Sequence, residues 1–89
     1  MISREVTVIN KLGLHARAAT RLVNCASEYD SELFIKKGAR SVNGKSIMGV
    51  LTLAAAMGTE LTIEASGADE KQALNAVIAL ILNRFGEGV

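Results

Sequence analysis

Apolar and polar residues alternate along some stretches of the chain and recur at helical spacing along others, and the two periods divide it into seven elements. Between Ile2 and Ile9, Ile2, Val6 and Val8 share one parity while Glu5 and Thr7 take the other, which predicts a half-buried strand with Arg4 as its exception. Ala18, Ala19, Leu22, Val23 and Ala26 then recur at helical spacing and predict a helix from about residue 16 to 27. Gly13 permits a tight path before it, and His15 falls at its N-cap. Leu33 and Ile35 oppose Glu32, Phe34 and Lys36, so Ser31 to Lys37 reads as a second strand closed by Gly38. A short run from Arg40 to Val42 pairs back as a third strand before the Asn43-Gly44 turn.

Ile47, Val50, Leu51 and Ala54 predict a short second helix capped by the Ser46 hydroxyl. Gly49 weakens it, and the pattern allows it to run through Ala56 to Gly58 or to end near Leu53. Thr59 to Ala65 alternates as a fourth strand, broken by Ser66-Gly67. Asp69 and Gln72 form an Asp-x-x-Gln variant of the capping box at the head of a long amphipathic helix carrying Leu74, Val77, Ile78, Ile81, Leu82 and Phe85. Gly86 and Gly88 are expected to end that helix in a frayed tail. The order β-α-β-β-α-β-α, with every strand polar on one face, predicts an α+β open-faced sandwich: three helices on one face of a four-stranded antiparallel sheet whose other face meets water. No internal repeat, linker or low-complexity tract divides residues 1–89, which are expected to form one domain.

Composition narrows the function. Apolar residues make up 49% of the 89, enough for one packed core, and the absence of proline with only Tyr29, Phe34 and Phe85 aromatic makes that core aliphatic. Ten basic and nine acidic residues give a formal charge of +1 with no long block of either sign, which argues against nucleic-acid or membrane-surface binding. Cys25 stands alone, so no internal disulfide forms, and it is expected as a small buried residue of the first helix. The chain opens on a charged, strand-like segment rather than a signal peptide or membrane span, and the expectation is a cytoplasmic monomer.

The chemistry centres on His15, the only histidine, with Arg17 two residues later. An imidazole has a nitrogen lone pair for nucleophilic attack, and a helix N-terminus offers N–H groups and partial positive charge to an attached anion. Arg17 adds charge-assisted hydrogen bonds to a phosphate. The same pattern also fits a histidine that merely caps a helix and an arginine that is merely solvated, although an arginine in the first turn runs against the helix dipole. Ser46 reads first as a cap, with regulatory phosphorylation as its functional alternative, where a phosphoserine at a helix N-terminus would alter a binding surface without unfolding the domain.

Other patterns lead nowhere. The run from Gly38 to Ser46 imitates a nucleotide-binding loop but has five residues between its glycines, where that motif requires four. No second histidine or cysteine exists to build a His/Cys metal site, no cofactor is implied, and Glu28, Asp30 and Glu32 read as a solvated rim. Such a chain could accept and donate phosphate but lacks the groups to activate a donor by itself.

These residues resemble the histidine-containing phosphocarrier family HPr of the bacterial phosphoenolpyruvate-dependent phosphotransferase system. The resemblance runs nearly end to end and rests on Asn10-Lys11-Leu12-Gly13-Leu14-His15-Ala16-Arg17-Ala18-Ala19, on Val42-Asn43-Gly44-Lys45-Ser46-Ile47-Met48-Gly49-Val50, and on Ala65-Ser66-Gly67-Ala68-Asp69-Glu70. It implies the sheet order 1-4-2-3. It also implies that His15 takes a phosphoryl group on Nδ1 from enzyme I and passes it to an EIIA domain, with Arg17 assisting. By the same resemblance Ser46 matches the site of an HPr kinase/phosphorylase, and Ile47, Met48 and Leu51 join Ala16, Ala18 and Thr20 of the first helix in a docking surface. Ala18 departs from the commonest form of the motif, which has proline there, and restores an N–H to the first turn.

Two rival readings remain at this level. A nitrogen-regulatory phosphocarrier would use the same histidine with a different enzyme I and EIIA, although the intact Gly44-Lys45-Ser46-Ile47-Met48-Gly49 stretch leans toward HPr. A regulatory docking module would use phospho-Ser46 and leave His15 inert, which the pairing of His15 with Arg17 argues against.

Overall fold

The alternating stretches are strands and the helical spacings are helices in the structure, a computed structural model describing residues 1–89. The elements are β1 (Ile2–Thr7), α1 (Ala16–Ser27), β2 (Glu32–Lys37), β3 (Arg40–Asn43), α2 (Ile47–Thr52), β4 (Glu60–Ser66) and α3 (Glu70–Leu82), with a 3-10 turn at Arg84–Gly86 after the last helix. The sheet runs β1-β4-β2-β3 with every pair antiparallel, the expected order.

Register puts one parity of each strand under the helices. Val6 opposes Leu61, and Ile35 opposes Ile63, so apolar residues of three strands line up across the sheet. α1 covers them with Ala18, Ala19, Leu22, Val23 and Ala26, and α3 with Ala73, Leu74, Val77, Ile78 and Ile81. The result is one core of 22 buried residues, aliphatic except for Phe85, in which truncating a fully buried Leu22 or Leu61 to alanine would cost about 2–5 kcal/mol. The opposite face carries Phe34, Thr62 and the Lys36–Glu64 ion pair at 3.0 Å.

Local expectations at both ends of α3 are corrected, and the open choice at α2 is settled. The capping box at Asp69 does not form, because its carboxylate accepts instead from the Asp30 and Ser31 N–H groups, each at 2.9 Å, and from the Ser31 hydroxyl. Ser31 is buried, and leaving its donors unpaired would cost more than an uncapped helix end. Glu70 supplies the local bond, accepting from the Gly67 N–H at 3.2 Å. α2 takes the shorter of its two allowed lengths, ending at Thr52, since Ala54 turns left-handed at φ 49°.

α3 ends early, at Leu82, and the residues beyond it are docked rather than frayed. Arg84, Phe85 and Gly86 all adopt positive φ, at 54°, 54° and 76°, which reverses the chain and drops Phe85 fully into the core. Two consecutive non-glycine residues in that region cost about 1–2 kcal/mol each, and burial of Phe85 offsets the strain. Beyond the turn, Lys11 N–H donates to the Val89 carbonyl at 3.1 Å, so residues 84–89 lie beside the loop that precedes α1.

Candidate functional site

That loop is held from below. Asn10 is fully buried and its Nδ2 donates to the Gly13 carbonyl at 2.8 Å, while Leu14 N–H donates to the Ala55 carbonyl at 2.8 Å. Gly13 sits so close to the residues after α2 that an added Cβ would lie 2.4 Å from the Ala55 oxygen, and its φ of +67° suits glycine as well. The loop therefore delivers His15 to the α1 N-terminus in one conformation.

His15 is the N-cap, with extended backbone (φ −76°, ψ −179°) and its carbonyl accepting from Ala19 N–H at 2.8 Å. Its Nδ1 accepts from the Arg17 N–H at 3.3 Å. Its Nε2 faces a partner absent from the sequence reading, the Glu87 carboxylate, whose Oε2 accepts the Nε2 proton. The other Glu87 oxygen accepts from Asn10 Nδ2 at 2.8 Å. The ring is 30% exposed and the Glu87 side chain only 7%. Burial pushes the Glu87 carboxyl up, but hydrogen bonds from Asn10 and His15, with the positive charges of a protonated His15 and of Arg21, outweigh it and hold it below the usual carboxylate range.

Arg17 and Arg21 stand one helical turn apart and line, with Leu12, His15 and Glu87, an open concavity of about 600 Å³. Arg21 also donates from Nη1 to the Phe85 carbonyl. An anion seated there would meet the Arg17 guanidinium, which has no other partner, and the N–H groups of the first helical turn. A groove of about 630 Å³ between α1 and α3 has Cys25 and Glu28 in its wall but no comparable convergence of donors. Cys25 is half-buried rather than buried, and burial, with Glu28 beside it, pushes its thiol up and disfavours the thiolate. No group of three or more His, Cys, Asp or Glu side chains is arranged to hold a metal ion.

Ser46 caps α2, its Oγ accepting from Gly49 N–H at 3.1 Å, and it is partly exposed. Met48 is 72% exposed and Ile47 40%, while Leu51 is half-buried against the core. α1 and α2 pack together, and Ala16 and Thr20 of α1 are exposed. Ala18 does not join them. It is fully buried, four residues before Leu22 on the core stripe of α1, and cannot touch a partner. Leu12, Met57 and Val89 are further exposed apolar residues that the sequence reading did not single out.

Glu87 was hidden because nothing local links it to His15. The one signal was Phe85 between an apparent helix end and two glycines, an apolar residue that needs burial next to residues able to turn the chain back.

The chain is similar to known proteins along nearly its whole length. Residues 2–83 match the family model described as the PTS HPr component phosphorylation site. The phosphocarrier protein HPr of Cupriavidus necator is 50% identical over 99% of both chains, and the phosphocarrier protein NPr of Shewanella violacea is 44% identical over 97% of this chain and 94% of its own. The crystal structure of HPr-C-His from Thermoanaerobacter tengcongensis superposes over 100% of both chains with a TM-score of 0.96 at 38% identity. With its sheet order, its capping histidine and its full-length relatives in agreement, the chain belongs to the HPr family of phosphotransferase-system phosphocarriers.

Proposed function

We propose that His15 accepts a phosphoryl group on Nδ1 from a phosphorylated histidine of enzyme I, charged ultimately from phosphoenolpyruvate, and passes it to EIIA domains of sugar uptake. The observation that carries this reading is the orientation of the ring: Nε2 is occupied by Glu87, and Nδ1 faces the α1 N-terminus between Arg17 and open solvent. The Arg17 N–H, only loosely bonded at 3.3 Å, is free to turn from the ring nitrogen to a phosphoryl oxygen. Arg17 pairs with the same group through its guanidinium. The protein is a stoichiometric carrier; its partners supply donor activation, and it works in the cytoplasm as a monomer.

Docking uses the apolar surface of Ala16, Thr20, Ile47, Met48 and Leu51, where the flexible Met48 side chain accommodates partners of different shape. Ser46, at the head of α2 in that surface, is the regulatory phosphorylation site for a kinase of the HPr kinase/phosphorylase type. Purified protein incubated with enzyme I and phosphoenolpyruvate is expected to gain acid-labile phosphate, and His15→Ala to gain none. Equal labelling of the two proteins would defeat the reading.

The Shewanella violacea NPr relative favours one alternative, a carrier for the nitrogen-regulatory branch that uses the same histidine. Acceptance rates measured with each of the two enzymes I separate the branches.

A further inference from the structure

A neutral imidazole has one proton for two nitrogens, and the nitrogen without it is the nucleophile. An ionised carboxylate only accepts hydrogen bonds, so the contact between Glu87 and Nε2 exists only while Nε2 holds the proton. The tautomer with the proton on Nδ1 would set a lone pair against the Glu87 carboxylate and a second N–H against that of Arg17.

We propose that Glu87 is a positioning residue for phosphoryl transfer, holding the ring proton on Nε2 so that Nδ1 is the reacting nitrogen, and that residues 84–89 form the strap that delivers it. The inference rests on the carrier reading and adds the group that selects between the two ring nitrogens. During transfer the Nδ1 lone pair forms the bond to phosphorus as the phosphorus–nitrogen bond on the donor breaks, and that electron pair returns to the donor ring. The Nε2 proton is neither gained nor lost. The positive charge that the His15 ring takes up on bonding faces the Glu87 carboxylate, which is already ionised.

The strap is built for this placement. Its three left-handed residues turn the chain back from α3, Phe85 anchors it in the core, and Arg21 grips the Phe85 carbonyl. Asn10 Nδ2 holds the second Glu87 oxygen at 2.8 Å, and Lys11 N–H holds the Val89 carbonyl at 3.1 Å. Strained backbone held down at both ends, next to the one residue with nucleophilic chemistry, is the pattern of a segment kept for positioning.

The test uses the full chain labelled with nitrogen-15, under alkaline conditions where the ring is neutral. Long-range proton–nitrogen spectra report which ring nitrogen of His15 carries the proton, and quenched-flow assays with phosphorylated enzyme I report the acceptance rate. The unaltered protein is expected to show one tautomer, protonated on Nε2. Glu87→Ala is expected to show a mixture of both and to accept phosphate about tenfold more slowly, the scale on which losing the outer partner of a working histidine is felt. Its affinity for enzyme I should be unchanged. Glu87→Gln keeps the size of the side chain but places an amide that can donate as well as accept beside Nε2, so it should also lose the single tautomer and slow acceptance, while unchanged amide exchange across residues 84–89 guards against a variant that simply loosens the fold. An unchanged tautomer and rate in Glu87→Ala would overturn the proposal. If the unaltered protein takes no phosphate, the carrier reading falls instead, and the spectra still decide what Glu87 does to the ring.

Discussion

Leu14 N–H donates to the Ala55 carbonyl across 2.8 Å, so the residue before His15 is tied to the segment after α2. The histidine loop and the segment leading out of α2 are thereby one mechanical unit. Gly13 makes the approach possible, and Gly13→Ala would place a Cβ 2.4 Å from the Ala55 oxygen at a φ of +67°. The substitution is expected to cost at least about 1–2 kcal/mol, more if the Leu14–Ala55 bond breaks. Urea melts check the stability, and amide exchange at Leu14 shows whether that bond survives.

Ser46 offers a second separation of structure from signalling. Its hydroxyl caps α2 by accepting from Gly49 N–H, and Ser46→Ala should lower stability by about 1 kcal/mol. Ser46→Asp keeps a good cap with a negative charge and should lose little or nothing in a denaturant melt. Any change in partner affinity in the Asp variant is then an effect on the docking surface rather than on folding. Isothermal titration with a docking partner reads the second quantity.

At the corner between β2 and α3, Asp69 contributes to the acid stability of the fold. Hydrogen bonds from the Ser31 hydroxyl and the Asp30 N–H, and more weakly from Ser31 N–H, hold its carboxyl below the ordinary aspartate value of 3.8. The folded-state value is depressed, so the stability it contributes is fully present above pH 3.8 and is lost as pH falls through the lower folded value. Asp69→Asn should therefore melt below the parent protein at neutral pH, and the gap should narrow as the solution is acidified past pH 3.8. Thermal melts of both proteins across the acid range test this. A gap that widens on acidification would contradict the sign.

The strands and helices were legible because their signals are local. Period-two alternation and the stripe from Ala18 to Ala26 depend on neighbours within a few residues, and both periods survive in the structure. The same stripe already marked Ala18 as core, which the motif around His15 obscured. What escaped was set by distant competition. Asp69 sits at a helix head where a capping box looks sufficient, yet the buried donors of Ser31, 38 residues away, take its carboxylate. Glu87 lies 72 residues from His15, and its placement depends on a left-handed turn that exists only because Phe85 has a core to enter.

Arg17 and Arg21 share one face of α1 but do different work, and their separation can be measured. The Arg17 guanidinium makes no hydrogen bond or ion pair within the chain, and on the proposed function it is left for the arriving phosphoryl group. A hydrogen bond to a charged group is worth about 1.5–3 kcal/mol, so Arg17→Ala should slow acceptance about ten- to hundredfold with the strap intact. Arg21→Ala removes the donor that grips the Phe85 carbonyl. Its first effect should be faster amide exchange across residues 84–89, together with a smaller loss of rate as Glu87 loses its hold on Nε2. Because Arg21 acts on the ring through Glu87, its effect should largely disappear in a Glu87→Ala background, whereas that of Arg17 should persist. Two double-mutant cycles of acceptance rates, pairing Arg17→Ala and Arg21→Ala each with Glu87→Ala and read beside exchange data for the same six proteins, distinguish the group that meets phosphate from the group that holds the strap.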